Sequence, residues 1–246
     1  MPGLKIAVVF DKHPKCCQYM RLHSDVYFPL VGGRDTMNKD LNCDDIPGVR
    51  YDNEGDNISW LNPYINEITA IYWLWKHLDT LGDPDYIGLH HYRRFFLLEE
   101  YKDSLAPDTL ILNHEKMMLP MVDFLELCHG TGYQFLEIAN RVLKLNNPDL
   151  KKMFNDYINS LYCYTRNLFV IPKSALLTVT QYVETVLPHI VKDINYDLYG
   201  TPGARNMGFI MERLVGFYFY ILVTTGQYKA KHVMFRYVDP KELETL

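Results

Sequence analysis

Between Tyr51 and Phe96 the chain places a polar loop, a helix, a turn and a strand in direct succession, an order that fits an α/β fold. Tyr51-Asp-Asn-Glu-Gly-Asp-Asn-Ile-Ser59 is dense in Asp, Asn and Gly, which build tight backbone turns and expose polar groups. A helix is expected directly after it. Asn62 is placed at the N-cap and Pro63 at the first helical position. Ile65, Ile68, Tyr72 and Trp75 then recur at helical spacing as far as Leu78. Leu81-Gly-Asp-Pro-Asp85 reads as a turn, and Tyr86 to Phe96 as a central strand running into a functional loop.

The flanking sequence extends this pattern. Lys5-Ile-Ala-Val-Val-Phe10 is a β-branched, apolar run that predicts a buried first strand, closed by a polar loop at Asp11-Lys12. Leu119 to Phe154 is helical in pattern, with breaks near Gly130 to Gly132 and at Asn147-Pro148. Asn167 to Ile171 is a second buried strand candidate. Ser174 is expected to cap a helix that stops near Leu187, before Pro188. Arg205 to Val223 forms a mostly apolar helix. This order predicts an α/β fold, a single Rossmann-like domain over residues 1–246 with a central mixed sheet flanked by helices. In such sheets ligands bind beyond the carboxyl ends of the strands, so Asp11-Lys12, Asp52 to Ser59 and His91 to Arg94 should collect there.

Composition narrows the function classes. With 48 % hydrophobic and 22 % charged residues the chain is an ordinary globular one, long enough at 246 residues for a large core. The net charge of -5 argues against nucleic acid as a partner. Cys16, Cys17, Cys43, Cys128 and Cys163 are odd in number and contain no C-x-x-C pair, which suits reduced thiols and a cytoplasmic protein. The N-terminus carries no secretory pattern. Met207 to Thr225 is the longest apolar stretch, but Glu212 and Arg213 leave fewer than the ~20 apolar residues a bilayer span needs. A buried core helix is expected instead.

Several chemistries lack their motifs. There is no G-x-x-x-x-G-K-[ST], no G-x-G-x-x-G after the first strand and no G-x-S-x-G. His114-Glu115 has no histidine partner four residues on. His90 and His91 are strand neighbours whose side chains face opposite ways. Asp83-Pro84-Asp85 spells a D-x-D but precedes its strand, where Pro suits a turn, so no metal ligands are assigned.

What remains is His91-Tyr-Arg-Arg94, two guanidinium groups beside an imidazole at a strand exit. Arginine forks match phosphate oxygens and stay charged. On an extended backbone Arg93 and Arg94 point to opposite faces, so one could bind phosphate while the other pairs with Asp52 or Asp56; both could equally be structural ion-pair partners. The Asp52 to Ser59 loop offers Asp52, Asn53, Asp56, Asn57 and Ser59 to sugar or ribose hydroxyls, and an Asx-rich turn without a ligand is the alternative.

Asp52-Asn-x-Gly-Asp-Asn-Ile-Ser59, Asn62-x-Tyr64, Glu67-x-Thr69-Ala70-x-Tyr72-Trp73-x-Trp75-Lys76 and Asp85-Tyr-Ile-Gly-Leu89-x-His91-Tyr-Arg-Arg94-x-Phe96 follow one another within 45 residues. Together they resemble the signature of a bacterial family, a domain of unknown function found in capsule, exopolysaccharide and O-antigen gene clusters. That family includes a galactofuranosyltransferase domain. Weaker echoes are Tyr27-x-Pro29-Leu30, His129, Asn147-Pro148, Asn167-Leu-Phe-Val170 and Arg205-x-x-Gly208-Phe209-x-x-Glu212-Arg213-Leu214; His90 stands where the family commonly has Cys.

The resemblance implies a glycosyltransferase of the GT-A type, moving a sugar such as galactose or galactofuranose from a nucleotide-diphosphate donor, a UDP-sugar, to a glycan or lipid-linked glycan acceptor. It implies work at the inner face of the membrane, with peripheral contact at most. Residues 1–100 would form the donor half and 101–246 the acceptor half. Asp11, Asp52, Asn53, Asp56, Asn57, Ser59, Asn62, His91, Arg93, Arg94 and Arg205 are the candidate donor-binding residues. His129, Glu212 and His91 are the catalytic candidates, with Asp56 a further choice of base. His91 to Arg94 fills the place where such folds carry a metal-holding D-x-D, so an arginine is expected to offset the diphosphate charge, with a divalent Mn or Mg ion left open as cofactor. Competing readings are a non-catalytic nucleotide-sugar or glycan-binding module and a phosphohydrolase.

Overall fold

The computed structural model describes residues 3–10, 18–41, 43, 46–143, 145 and 147–238. Asp11, Lys12, Cys16 and Cys17 lie outside the described residues. The elements run β1 (Leu4–Phe10), α1 (Gln18–Leu22), β2 (Tyr27–Val31), β3 (Arg50–Tyr51), α2 (Asn62–Ile65), α3 (Ile68–Lys76), β4 (Tyr86–His91) and β5 (Arg94–Phe95) in the first part. There follow β6 (Thr109–Lys116), α4 (Met121–His129), α5 (Gly132–Leu143), α6 (Pro148–Asn159), β7 (Tyr162–Pro172), α7 (Lys173–Asp193), α8 (Asn206–Thr224), β8 (Lys229–His232) and β9 (Arg236–Tyr237). Short 3-10 turns link them.

The described strands form one mixed sheet in the order β3-β2-β1-β4-β7-β6-β8, with β5 and β9 attached at the end of β4. β3, β2, β1 and β4 are parallel, so their carboxyl ends share one edge; β7 runs antiparallel to both β4 and β6. The fold is thus a mixed α/β one, with the central sheet and flanking helices expected from the sequence.

Burial on both faces of the sheet explains why β1 is apolar from Ile6 to Phe10. Ala7 and Val9 join a large core beneath the helices, while Ile6, Val8 and Phe10 join a smaller one on the opposite face with Phe96 and Tyr101. β4 alternates the same way, with Ile87 and Leu89 on the helix side and Tyr86 on the other. Gly88 has no room for a side chain, because a Cβ would lie 2.9 Å from Val170 and 3.0 Å from Ile6. α8 together with the turn before it, Pro202–Thr224, is long and apolar enough to cross a membrane, yet most of it is buried here. Gly216 lets it approach β7, where a Cβ would lie 2.4 Å from the Tyr164 carbonyl oxygen.

Two helix boundaries differ from the sequence expectation. The helix expected from Asn62 to Leu78 is divided at Asn66, and Asn62 lies inside α2 with no capping role. Its amide donates instead to the Asn66 carbonyl and the Thr69 hydroxyl. α7 does not stop before Pro188 but carries it internally, and Ser174 makes no cap; its hydroxyl meets the Tyr228 hydroxyl. The reason is burial: Val179, Val183, Val186 and Ile190 continue one apolar stripe across the proline. The expected breaks at Gly130 to Gly132 and Asn147-Pro148 separate α4, α5 and α6, and the Asn147 side chain caps α6.

His90 is fully buried between Tyr27 and Phe96, and neither ring nitrogen has a hydrogen-bond partner among the described residues. Burial, reinforced by His91, lowers its pKa to about 3. His114 is lowered to about 4, chiefly by burial and then by His232. The unfolded chain therefore binds these protons first as pH falls. Their contribution to stability is fully present above the ordinary histidine value of about 6.5 and is lost on acidification toward the folded values. The urea midpoint is expected to fall between pH 6.5 and pH 4, and His90→Leu to flatten the slope; an equally steep slope in that variant would refute the assignment.

Candidate functional site

The site grows from the carboxyl end of β4. After His91 the chain reverses through Tyr92 and Arg93 and returns as β5, so His91 lies opposite Arg94 across a tight hairpin. The extended run expected from His91 to Arg94 is thus a turn, and the two arginines project from its tip and its return strand. β9 pairs with β5 and the Val238 N–H donates to the Arg93 carbonyl, which holds the turn from outside.

Arg93 lies over the Tyr92 ring and Arg94 over Tyr237, at 4.9 and 6.0 Å from the ring centroids. Neither guanidinium has a carboxylate within ion-pair distance among the described residues, and the Arg93 Nε is buried without a partner. Asp52 and Asp56, the expected alternatives, are bonded elsewhere. Burial lowers the Arg94 pKa, and the positive charges of Arg166 and Arg93 lower it further. Glu67 acts on Arg94 only from beyond ion-pair distance, as the smallest of these influences, so the half-buried cations, which repel one another, form a local excess of positive charge that an anion would relieve.

Facing this turn is an irregular stretch of β7. Arg166 and Asn167 both have positive φ, 64° and 49°, and the pairing with β6 shifts register between Leu112 and His114. Two consecutive non-glycine residues in that region form a strained bulge that must be held by its surroundings. It is. The Arg166 N–H donates to Glu212 Oε1 at 2.6 Å, and the Arg166 carbonyl accepts from His91 Nε2 at 2.7 Å. The Arg166 guanidinium forks onto both oxygens of Glu115 at 2.9 Å. Burial pushes the Glu115 carboxyl up, but the Arg166 fork and charge bring it down overall.

Glu212 also accepts from the buried Arg213 at 2.8 Å. His129, at the end of α4, stacks on Phe209 with centroids 3.7 Å apart; burial and then Arg213 lower its pKa. A small cavity behind the bulge is bordered by Thr165, Asn167, Glu212 and Gly216.

A second strained point lies across from the bulge. Asn66 has φ 54° and ψ -137°, a region left almost wholly to glycine. It is held by Asn62 and Thr69 at its carbonyl and by Arg205 Nε at its side-chain oxygen, 2.7 Å away. Gly208 makes room for it, since a Cβ there would lie 2.0 Å from the Asn66 amide nitrogen. The break turns Glu67 toward the bulge. Its Oε1 accepts from the Asn167 amide at 3.4 Å and lies 3.6 Å from His91 Nε2.

The Asp52 to Ser59 loop shares the same sheet edge but stands about three strand spacings from β4, roughly 14 Å. Asp52 is fully buried and accepts four hydrogen bonds, from the Gly33 and Arg34 N–H groups and the Ser59 and Thr69 hydroxyls. It presents no surface to a ligand. Asn57 bonds the backbone of Asn53, Gly55 and Ser59; Asn53 donates to Asp35; Asp56 meets Lys76 and Tyr72.

The structure therefore brings His91, Arg93, Arg94, Glu212 and, through Asn66, Arg205 around one bulge, with His129 beside it. It leaves the Asp52 loop as a braced wall. Glu67, Glu115, Arg166 and Asn167 were not among the candidates from the sequence. Glu67 stands in the quoted signature, but no local pattern marks Arg166, because a positive φ at arginine is imposed by its neighbours. Asp83 and Asp85 lie at the opposite end of β4, where Asp83 meets Lys173 and Asp85 accepts from the Gly3 N–H, as a turn would have them. No cluster of three His, Cys, Asp or Glu side chains able to hold a metal ion occurs among the described residues.

The profile of a family described as a domain of unknown function (DUF4422) matches residues 5–222. The apo structure of the WbbM bifunctional glycosyltransferase is similar in fold, with a TM-score of 0.73 at 22 % sequence identity. The likeness covers 96 % of this chain and 45 % of that one, so the chain spans under half the length of that protein. No curated protein matches.

Proposed function

From the premise that this chain belongs to the DUF4422 family, we propose that it is a glycosyltransferase using a nucleotide-diphosphate sugar. The observation that carries this reading is the excess positive charge at Arg93 and Arg94, placed at the carboxyl edge of the parallel strands. Two guanidinium forks there suit a diphosphate, and their charge would stabilise it as it leaves with the bonding electrons. A fold shared with a glycosyltransferase supports the same reading. The donor is proposed to be a UDP-sugar, galactose or galactofuranose, and the acceptor a glycan or lipid-linked glycan reached at the inner membrane face. In this reading arginine charge takes the part that a metal plays in many such enzymes.

A thermal-shift screen of nucleotide sugars tests it directly. Selective stabilisation by UDP-galactose or UDP-galactofuranose is expected, about 2.7 kcal/mol at a hundredfold excess over the dissociation constant, together with release of UDP on turnover. Stabilisation without turnover would favour a binding module. Activity abolished by EDTA and restored by manganese or magnesium would refute the arginine-based mechanism.

A further inference from the structure

We infer that Glu67 is the catalytic base that takes the proton from the attacking acceptor hydroxyl, an assignment that rests on the transfer reaction proposed above. Three independent features converge on this carboxylate. The first is strain: Asn66, held in a glycine-like conformation by Asn62, Thr69, Arg205 and the bare Gly208, exists to break the helix one residue before Glu67. The left-handed pair Arg166–Asn167 meets it from the other side. Backbone strain persists only where surrounding structure enforces it, and it gathers at functional positions.

The second feature is what Glu67 lacks. Glu115 has both oxygens taken by Arg166, and Glu212, though its two bonds share Oε1, has its charge balanced by the buried Arg213 guanidinium 2.8 Å away. Asp52 is sealed in the fold, and Asp56 lies on the outer side of α3 with Lys76. Among the described residues Glu67 has no lysine or arginine within ion-pair distance, and its contacts with His91 and Asn167 both fall on Oε1, not Oε2. With a side chain only 14 % exposed, it is a carboxylate held at the site with one lone oxygen to offer. A base needs such an oxygen on a carboxylate whose charge no guanidinium within ion-pair distance already balances, and Glu67 meets that condition among the described residues.

The third feature is how it is oriented. A carbonyl only accepts, so the 2.7 Å contact to the Arg166 carbonyl puts the proton of His91 on Nε2. That N–H faces Glu67 Oε1 as well, and Asn167 donates to the same oxygen, which leaves Oε2 as the proton acceptor. His91 is thus a positioning residue. Glu67 is also the first residue before α3, where the helix end favours a negative charge. In the step, the acceptor O–H proton passes to Glu67 Oε2 as the acceptor oxygen bonds to the anomeric carbon. The bond from that carbon to the phosphate oxygen breaks, and the nucleoside diphosphate leaves with its electron pair beside Arg93 and Arg94. Glu67 then returns its proton to solvent.

The test compares Glu67→Gln and Glu67→Asp with the wild-type chain, using UDP-galactose and UDP-galactofuranose with octyl galactoside or water as acceptor. Turnover of Glu67→Gln is expected to fall by about 10²–10⁴-fold, with donor KM and donor-induced thermal shift within about twofold of wild type. Glu67→Asp should keep part of the activity. Turnover of Glu67→Gln within threefold of wild type, loss of donor stabilisation together with turnover, or an octyl galactoside product of retained anomeric configuration each overturns the assignment. If the wild-type chain neither binds nor turns over either donor, the proposed function itself fails and the base falls with it.

Discussion

Arg94→Ala is expected to lower transfer by about 10²–10³-fold, the usual consequence of removing one preorganised charge-stabilising donor, while leaving the melting temperature unchanged or higher. The two halves of that expectation come from the same geometry. Arg94 has no carboxylate partner among the described residues, and its half-buried charge is opposed by burial, by Arg166 and by Arg93. Removing it takes away repulsion and breaks no ion pair among the described residues, so the folded state loses the packing of its stem over Tyr237 and the weaker attraction of Glu67. If the residue is held for an anion, its cost to the free protein is recovered only when that anion binds. Arg94→Lys should recover part of the activity, because a point charge lacks the fork that matches two phosphate oxygens. Turnover and thermal melts of the two variants decide the matter. A variant that melts several degrees lower and binds donor normally would mean that Arg94 is a structural cation.

Asp52→Ala should show the opposite pattern, a loss of stability of about 4 kcal/mol. The two hydroxyls that face Asp52 can turn to other acceptors, but the Gly33 and Arg34 N–H groups cannot, and each buried donor left unpaired costs about 1–3 kcal/mol. Loss of the carboxylate also unties the start of α3 from the loops after β2 and β3, since Thr69 joins Asp52 to Asn62 and Asn66. Set against a typical total of about 5–15 kcal/mol, this is a large fraction. Asp52→Asn should be intermediate, because its amide nitrogen would face a donor. Urea denaturation gives the measurement, and a loss below about 1 kcal/mol would show that Asp52 does not brace the loop.

The two residues show how far the sequence could be read. Asp52 and Arg94 stand in one signature and looked alike as polar residues at strand ends. The structure separates them by burial: one is closed off by four donors, the other is left with unbalanced charge. Elements with a repeating pattern were legible. β1, β4, the divisions between α4, α5 and α6, and the apolar α8 all follow from periodicity and from Gly and Pro punctuation. β6 and the edge strands β8 and β9 were not, because their stability comes from pairing with distant strands rather than from local pattern.

By itself, then, the sequence determined the family signature, the mixed α/β order and the presence of two arginines and a histidine at the end of a central strand. Only the tertiary structure decided which carboxylate among Glu67, Glu115 and Glu212 has no arginine within ion-pair distance among the described residues, and that Asn66, Arg166 and Asn167 are strained. The physical reason is that an ion pair and a positive φ are relations between residues far apart in the chain. Glu67 meets Asn167 one hundred positions away, and Arg205 holds Asn66 across 139.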